Sequence, residues 1–149
     1  MEKMLFFDGA FGTYYHEQYG NDESCELANI NAPERVEKIH LDYISAGARA
    51  VRTNSFGINS GMVSDPRLRR TLIEKSYEIA ARAVQTGGKA EIFADIGYVY
   101  PAGGNTSGEY IEATEVFIGC GAKNFLFETL AEIDPILPAV KHIRQALPN

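Results

Sequence analysis

"MLFFDGAFGT", residues 4–13, carries an apolar run into an acid, Asp8, with Gly9 directly after it and Gly12 close behind. Two structures suit such a stretch. One is a surface turn. The other is the end of a buried strand that delivers a carboxylate into a pocket. The choice depends on whether the chain repeats the device.

It does. "RAVRT" (49–53) is a short strand-like run that ends on Thr53-Asn54-Ser55. "AEIFADIG" (90–97) reads as a third strand with Asp95 near its end, and "NFLFET" (124–129) as a fourth ending on Glu128-Thr129. Helical patterns separate these runs. Residues 12–19 are weakly helical, and 21–33 read as an irregular polar loop. Pro33 opens a helix in which Val36, Ile39, His40, Tyr43 and Ile44 recur at helical spacing and Gly47 is the stop. Pro66 opens the next, with Leu68, Leu72, Ile73, Ile79, Ala80, Ala83 and Val84 on one face and Gly87-Gly88 as its end. "PAGGNTSG" (101–108) is a turn-rich loop. A helix spans about Ser107–Phe117, and a last amphipathic helix carries Ile133, Ile136, Leu137, Val140 and Ile143.

Strand alternating with helix predicts βαβ units and a parallel sheet. Ligands of such sheets sit beyond the carboxyl ends of the strands, so Asp8 and Glu128 are expected to share one pocket face. Four β/α units fill the 149 residues. A complete eight-unit barrel needs about 250. The expectation is therefore one domain, 1–149, that forms half a (β/α)8 barrel with apolar strand edges exposed. A missing second half, a pairing of two copies as a homodimer, or an open sheet would each deal with those edges.

Composition narrows the function classes. Hydrophobic residues make up 45%, enough for a packed core. Acids outnumber bases 20 to 14, interspersed, which argues against a nucleic-acid or anionic-membrane surface and for a small-molecule ligand. The two cysteines, Cys25 and Cys120, form neither a disulfide framework nor a local zinc motif, and read as free buried thiols. The apolar patch Met4–Phe7 is too short for a signal or membrane segment, so a cytoplasmic protein is expected.

"DGAFGT" (8–13), "CELANINAPERVEKIHLDYISAGARAVRTNSFGIN" (25–59) and "LFETL" (126–130), in that order and spacing, resemble the homocysteine S-methyltransferase family. The resemblance implies a (β/α)8 barrel and a methyltransferase that forms methionine on a zinc-bound homocysteine thiolate. It implies that Asp8 and Glu128 hold the substrate ammonium. Two carboxylates that converge on one cation make charge-assisted hydrogen bonds. Without the cation they repel, and one pKa rises. Backbone N–H groups of Gly9 and Ala10 are expected to meet the substrate carboxylate, with Gly9 allowing close approach. Thr53, Asn54 and Ser55 are expected to supply further donors. The family's three zinc cysteines lie in the second half of the barrel, so no metal ligand is expected in this segment and none of its residues is assigned a catalytic role. Zinc is expected only in a full-length protein, and these residues alone are expected to be inactive. The methyl donor, whether methyltetrahydrofolate through cobalamin, S-methylmethionine or betaine, is left open. Asp95, and Tyr98 after Gly97, depart from the family's small residue and Gly-Pro in "ADIGYVYP".

Plainer roles stand beside these. Asp8 suits capping the helix after the first strand, and Glu128 a helix cap or an ion pair. Asp95 is evenly placed between ligand contact and structure. His40 is expected to pack and hydrogen-bond inside the core, and Tyr14 and Tyr15 to pack. "GGNTSG" is a loop, since it lacks the Lys-Ser/Thr of a phosphate cradle. Asn105-Thr106-Ser107 fits a glycosylation pattern, but nothing suggests secretion. Two rival functions are a Mg²⁺ enzyme that uses Asp8, Asp95 and Glu128, and a non-catalytic, self-associating half barrel that binds amino acids.

Overall fold

The computed structural model describes residues 4–100 and 104–148. The first three residues of the expected 101–108 loop, and the ends of the expected 1–149 domain, lie outside the described residues. Helices α1 (Phe11–Tyr19), α2 (Ala28–Asn31) and α3 (Pro33–Ser45) precede strand β1 (Ala50–Arg52). Then come α4 (Pro66–Gly87), β2 (Glu91–Ile96), α5 (Thr106–Gly119), β3 (Asn124–Phe127), a 3₁₀ turn (Asp134–Ile136) and α6 (Leu137–Ala146). The strands form one parallel sheet in the order β1-β2-β3.

Local chemistry explains the helix ends. Pro33 and Pro66 occupy first-turn positions where a missing N–H costs nothing. The Asp65 carboxylate accepts the Arg67 N–H at 2.9 Å, and the Asn105 side chain accepts the Gly108 N–H at 3.1 Å. α3 buries Val36, Ile39, His40 and Ile44, and α4 buries Leu72, Ile73, Ile79, Ala80 and Ala83, as their spacing predicts. Leu68 is exposed, because it lies in the first turn, ahead of the packed part of α4.

Two expectations need correction. The polar stretch 21–33 contains one helical turn, α2, which buries Ala28 and Asn29. The apolar run Leu5–Phe7 is not a full strand: it makes a single parallel bridge, Phe7 to Ala50. The Phe6 carbonyl accepts both the Arg49 and Ala50 N–H groups, at 2.8 and 3.0 Å, and the Asp8 N–H donates to the Ala50 carbonyl at 2.9 Å. Two donors converging on one carbonyl leave no regular ladder, and the run lies at the sheet edge with Met4 71% and Phe6 58% exposed. The described sheet thus has three strands and a bridged edge segment, not four complete β/α units.

The sheet's two faces differ. Ala94 and Ile96 of β2 point into the main core, with Ile73 of α4 and Tyr110, Val116 and Phe117 of α5. Their alternates Phe93 and Asp95 lie on the other face. Arg52 is registered beside Phe93, Leu126 beside Asp95, and the Phe7 ring packs on Phe93 at 4.8 Å. The polar side chains of this second face collect at the carboxyl ends of the strands.

Candidate functional site

A cavity of about 390 Å³ opens at those ends. Its lining includes Ala10–Thr13 at the start of α1, Arg52–Phe56 after β1, Asp95, Glu128 and Thr129. Asp8, expected in the pocket, does not line the cavity: its side chain is closed to solvent behind Arg52.

The expectation that Asp8 and Glu128 share one face is met through a residue that motif reading passed over. Arg52 lies between them. Its Nε–H donates to Asp8 Oδ1 at 2.8 Å, and its backbone N–H to Asp8 Oδ2 at 2.9 Å. Its Nη1 donates to both Glu128 oxygens, at 3.1 and 3.0 Å. Its Nη2 donates to the Gly9 carbonyl. Burial pushes the Asp8 carboxyl up, and the Arg52 hydrogen bonds pull against it. Burial also opposes the Arg52 charge, but Asp8, Glu128 and Asp95 outweigh it and leave the guanidinium above its ordinary value. The signal in the sequence was the second arginine of "RAVRT", inside a strand-like run that has no use for a charge without a partner.

Asp95 completes the acidic set. It is 3% exposed, and its Oδ1 has no hydrogen-bond partner among the described residues. Burial, then the Glu128 carboxylate beside it, pushes the Asp95 carboxyl up to about 8, while Arg52 opposes the rise.

The donors expected after β1 are largely spent inside the protein. Asn54 Nδ2 donates to the Cys25 carbonyl at 2.7 Å and to Asn29 Oδ1 at 2.9 Å, and so ties the 21–31 segment to the strand end. The Thr53 hydroxyl accepts the Asp95 N–H at 2.9 Å and lies 2.6 Å from the Ser55 hydroxyl. Ser55 in turn donates to the Asp95 carbonyl at 2.7 Å. With Ser55's only proton so used, Thr53 donates to Ser55. This chain fixes the backbone of Asp95. Gly9 does not line the cavity. A Cβ there would stand 3.0 Å from the Tyr43 ring, so packing against Tyr43 accounts for the glycine. Ala10 does line it, together with Phe11, Gly12 and Thr13. Its own side chain gives α1 no cap, so the first N–H groups of the helix have no side-chain partner there.

The remaining expectations divide. Tyr15 packs as expected. Tyr14 also donates its hydroxyl to Asp42 Oδ2 at 3.0 Å. His40 packs, its ring 5.0 Å from that of Phe11, but neither ring nitrogen has a hydrogen-bond partner among the described residues, which corrects the expected bond. Cys25 is buried and Cys120 only partly so, and both are free. Thr129, just after Glu128, holds φ at 56°, strained for a β-branched residue.

Among the described residues no three His, Cys, Asp or Glu side chains converge as a metal site. Asp8, Asp95 and Glu128 do not form the Mg²⁺ cluster of the rival reading, and Arg52 binds two of the three. Cys25 does not fit a zinc ligand either. Its thiol lies 3.3 Å from Asn54 Oδ1, and burial together with the Glu26 charge pushes it well above the usual thiol range. No described helix is long and apolar enough to cross a membrane.

Comparison with known proteins agrees with the family motifs. The homocysteine S-methyltransferase family model matches residues 5–148, so the chain belongs to that family of methyltransferases. It is 29% identical over 167 residues to methionine synthase of Mycobacterium tuberculosis, covering 98% of this chain and 14% of that protein. A shorter match to methionine synthase of Mycobacterium leprae is 34% identical over 71 residues, covering 43% of this chain and 6% of that protein. In fold, the chain is similar to the homocysteine methyltransferase MmuM from Escherichia coli. Its metallated form superposes with a TM-score of 0.75 at 23% identity, over 97% of this chain and 60% of that one. The apo form gives 0.76 at 24% identity, over 99% and 57%. The chain therefore spans a small part of the curated relatives and somewhat over half of the solved structure.

Proposed function

We propose that the cavity receives the amino-acid end of homocysteine, and that a protein containing this segment transfers a methyl group to the homocysteine sulfur to form methionine. One observation carries this reading. The cavity sets the amino end of a helix beside an excess of carboxyl groups, which is the charge pattern of a zwitterion's receptor. A carboxylate of the ligand is favoured at the N-terminus of α1, where N–H groups of Phe11, Gly12 and Thr13 lack helical partners. Its ammonium is favoured by Glu128 on the cavity wall, held in place by Arg52, which also pairs with the Asp8 carboxylate behind it. Ala10 contributes backbone to the same wall, and Asn54, Thr53 and Ser55 keep the wall in shape.

The described residues bind and orient the substrate. They do not fit a zinc site, so activation of the thiol is not assigned to them. The second sheet face, with Arg52, Phe93, Asp95 and Leu126, suits the interior of a (β/α)8-type barrel closed by further strands. The exposed Met4–Phe7 edge suits either such closure or pairing with a second copy.

Isothermal calorimetry of this chain with L-homocysteine tests the reading. Saturable binding is expected, weakened at least about tenfold in Glu128→Gln, which keeps the shape and removes the charge. Absence of saturable heat at millimolar ligand would refute it.

A further inference from the structure

Among the described residues, Asp95 is the one acid at the cavity without a full set of partners. Asp8 is satisfied twice by Arg52, and Glu128 accepts the other arm of the same guanidinium. Arg52 has no donor left, since Nη2 is occupied by the Gly9 and Asp8 carbonyls. Asp95 Oδ1 therefore stays buried and unpartnered, on a residue that lines an open cavity. A buried, unpaired acceptor costs free energy that a ligand donor would recover. The backbone of Asp95 is fixed from both sides, by Thr53 on its N–H and Ser55 on its carbonyl. The side chain is thus held in place and is no product of a loose loop.

Charge counting adds a second line. Asp8, Glu128 and Asp95 face one guanidinium. The groups that act on Asp95 are Glu128 from the end of β3, Arg52 from β1 and Asp8 from the edge segment. With Asp95 protonated the set carries a net charge of −1. With Asp95 ionised it carries −2, which one ligand cation restores to −1.

We propose that Asp95 is a ligand-binding carboxyl. It accepts a hydrogen bond from the ammonium of an α-amino acid, and it gives up its own proton to solvent as the ammonium enters. The inference rests on the amino-acid reading of the cavity and adds to it a third acid and a proton count. The balance is simple. One proton leaves to buffer, one cation arrives, and no bond to carbon changes. The neutral state of Asp95 in the empty cavity agrees, because burial and Glu128 lift its pKa to about 8.

The test is calorimetric titration of the chain with L-homocysteine and with L-2-aminobutyrate, which keeps the ammonium and carboxylate but has no thiol. Each is run at pH 7 in two buffers of different ionisation enthalpy. The expected result is release of about one proton per ligand bound, since a group titrating near 8 is mostly protonated at pH 7. Asp95→Asn should abolish the release and weaken binding about tenfold. Asp95→Ser serves the same purpose should the Asn variant fail to fold. Zero proton release by the unaltered chain on binding overturns the proposal, and so does an undiminished release in a folded Asp95 variant. If 2-aminobutyrate binds with Asp95-dependent release and homocysteine binds no more tightly, the role of Asp95 stands and the homocysteine assignment falls. If neither amino acid binds, both fall.

Discussion

Two parts of the molecule bury a titratable side chain with unpartnered atoms, and they do so differently. Between α1 and α3, His40 is fully buried with its ring against Phe11, and burial alone, with no neighbouring charge, acts on it. At the carboxyl ends of the sheet, Asp95 is as well buried, but it borders a cavity and answers to Arg52, Glu128 and Asp8. Burial alone drives His40 down to about 4, which keeps the imidazole neutral and makes it a space-filling ring. Burial also raises Asp95, but there the neighbouring charges compete, and an entering cation can reverse the outcome. An orphaned polar atom in a sealed apolar wall is a cost of packing. The same atom at a cavity is an invitation to a ligand.

The sharpest way to break this contrast is Arg52→Leu. It leaves the Asp8 carboxylate buried without its cation, and the loss should be about 3–5 kcal/mol in urea unfolding. A loss under about 1 kcal/mol would mean that the guanidinium does not hold the acids together.

Next in size is the His40 effect. The unfolded chain takes up a proton below 6.5, while the folded protein refuses it until about 4. Stability should therefore fall as pH drops through that window, by about 3 kcal/mol in all. His40→Leu should flatten this arm of the curve.

Asp95 should act with the opposite sign. Its folded pKa, about 8, lies above the ordinary 3.8, so the folded protein retains a proton that the unfolded chain has lost. Its contribution is complete below 3.8 and drains away as pH rises through about 8. Between 4 and 6.5 the two groups oppose one another, and from 6.5 to about 8 the His40 effect is over while the decline due to Asp95 continues. Unfolding free energies of the Asp95→Asn protein across pH 6.5–9 should lose that decline. A decline of unchanged slope would assign it to another group.

The smallest effect concerns the strained turn after Glu128. Thr129→Gly relieves a positive φ and should raise the melting free energy by about 1 kcal/mol. If it also weakens homocysteine binding, the strained turn is what aims Glu128 at the cavity. If it destabilises, the loop is held by contacts other than its backbone.

Much of this organisation was legible in the chain. Helical spacing marked the faces of α3 and α4, because an amphipathic helix must bury one stripe wherever it packs. Strand ends marked the polar residues now at the cavity. The edge segment was harder to read, since Leu5–Phe7 has the composition of a strand and lacks only a neighbour on its outer side. Asn54 has the side chain of a ligand donor and Gly9 the backbone freedom for close approach, but hydrogen bonding to Cys25 and Asn29 and packing against Tyr43 use them otherwise.

The order of its residues alone determined that this chain alternates strands and helices and carries acids to the strand ends, because periodicity and turn chemistry are local. Only the tertiary structure decided which charges meet. Arg52 comes 44 residues after Asp8 and 76 before Glu128, and the salt bridges exist because parallel strands bring those ends side by side. Partnership between distant side chains depends on register and burial, and neither is written in any short stretch of sequence.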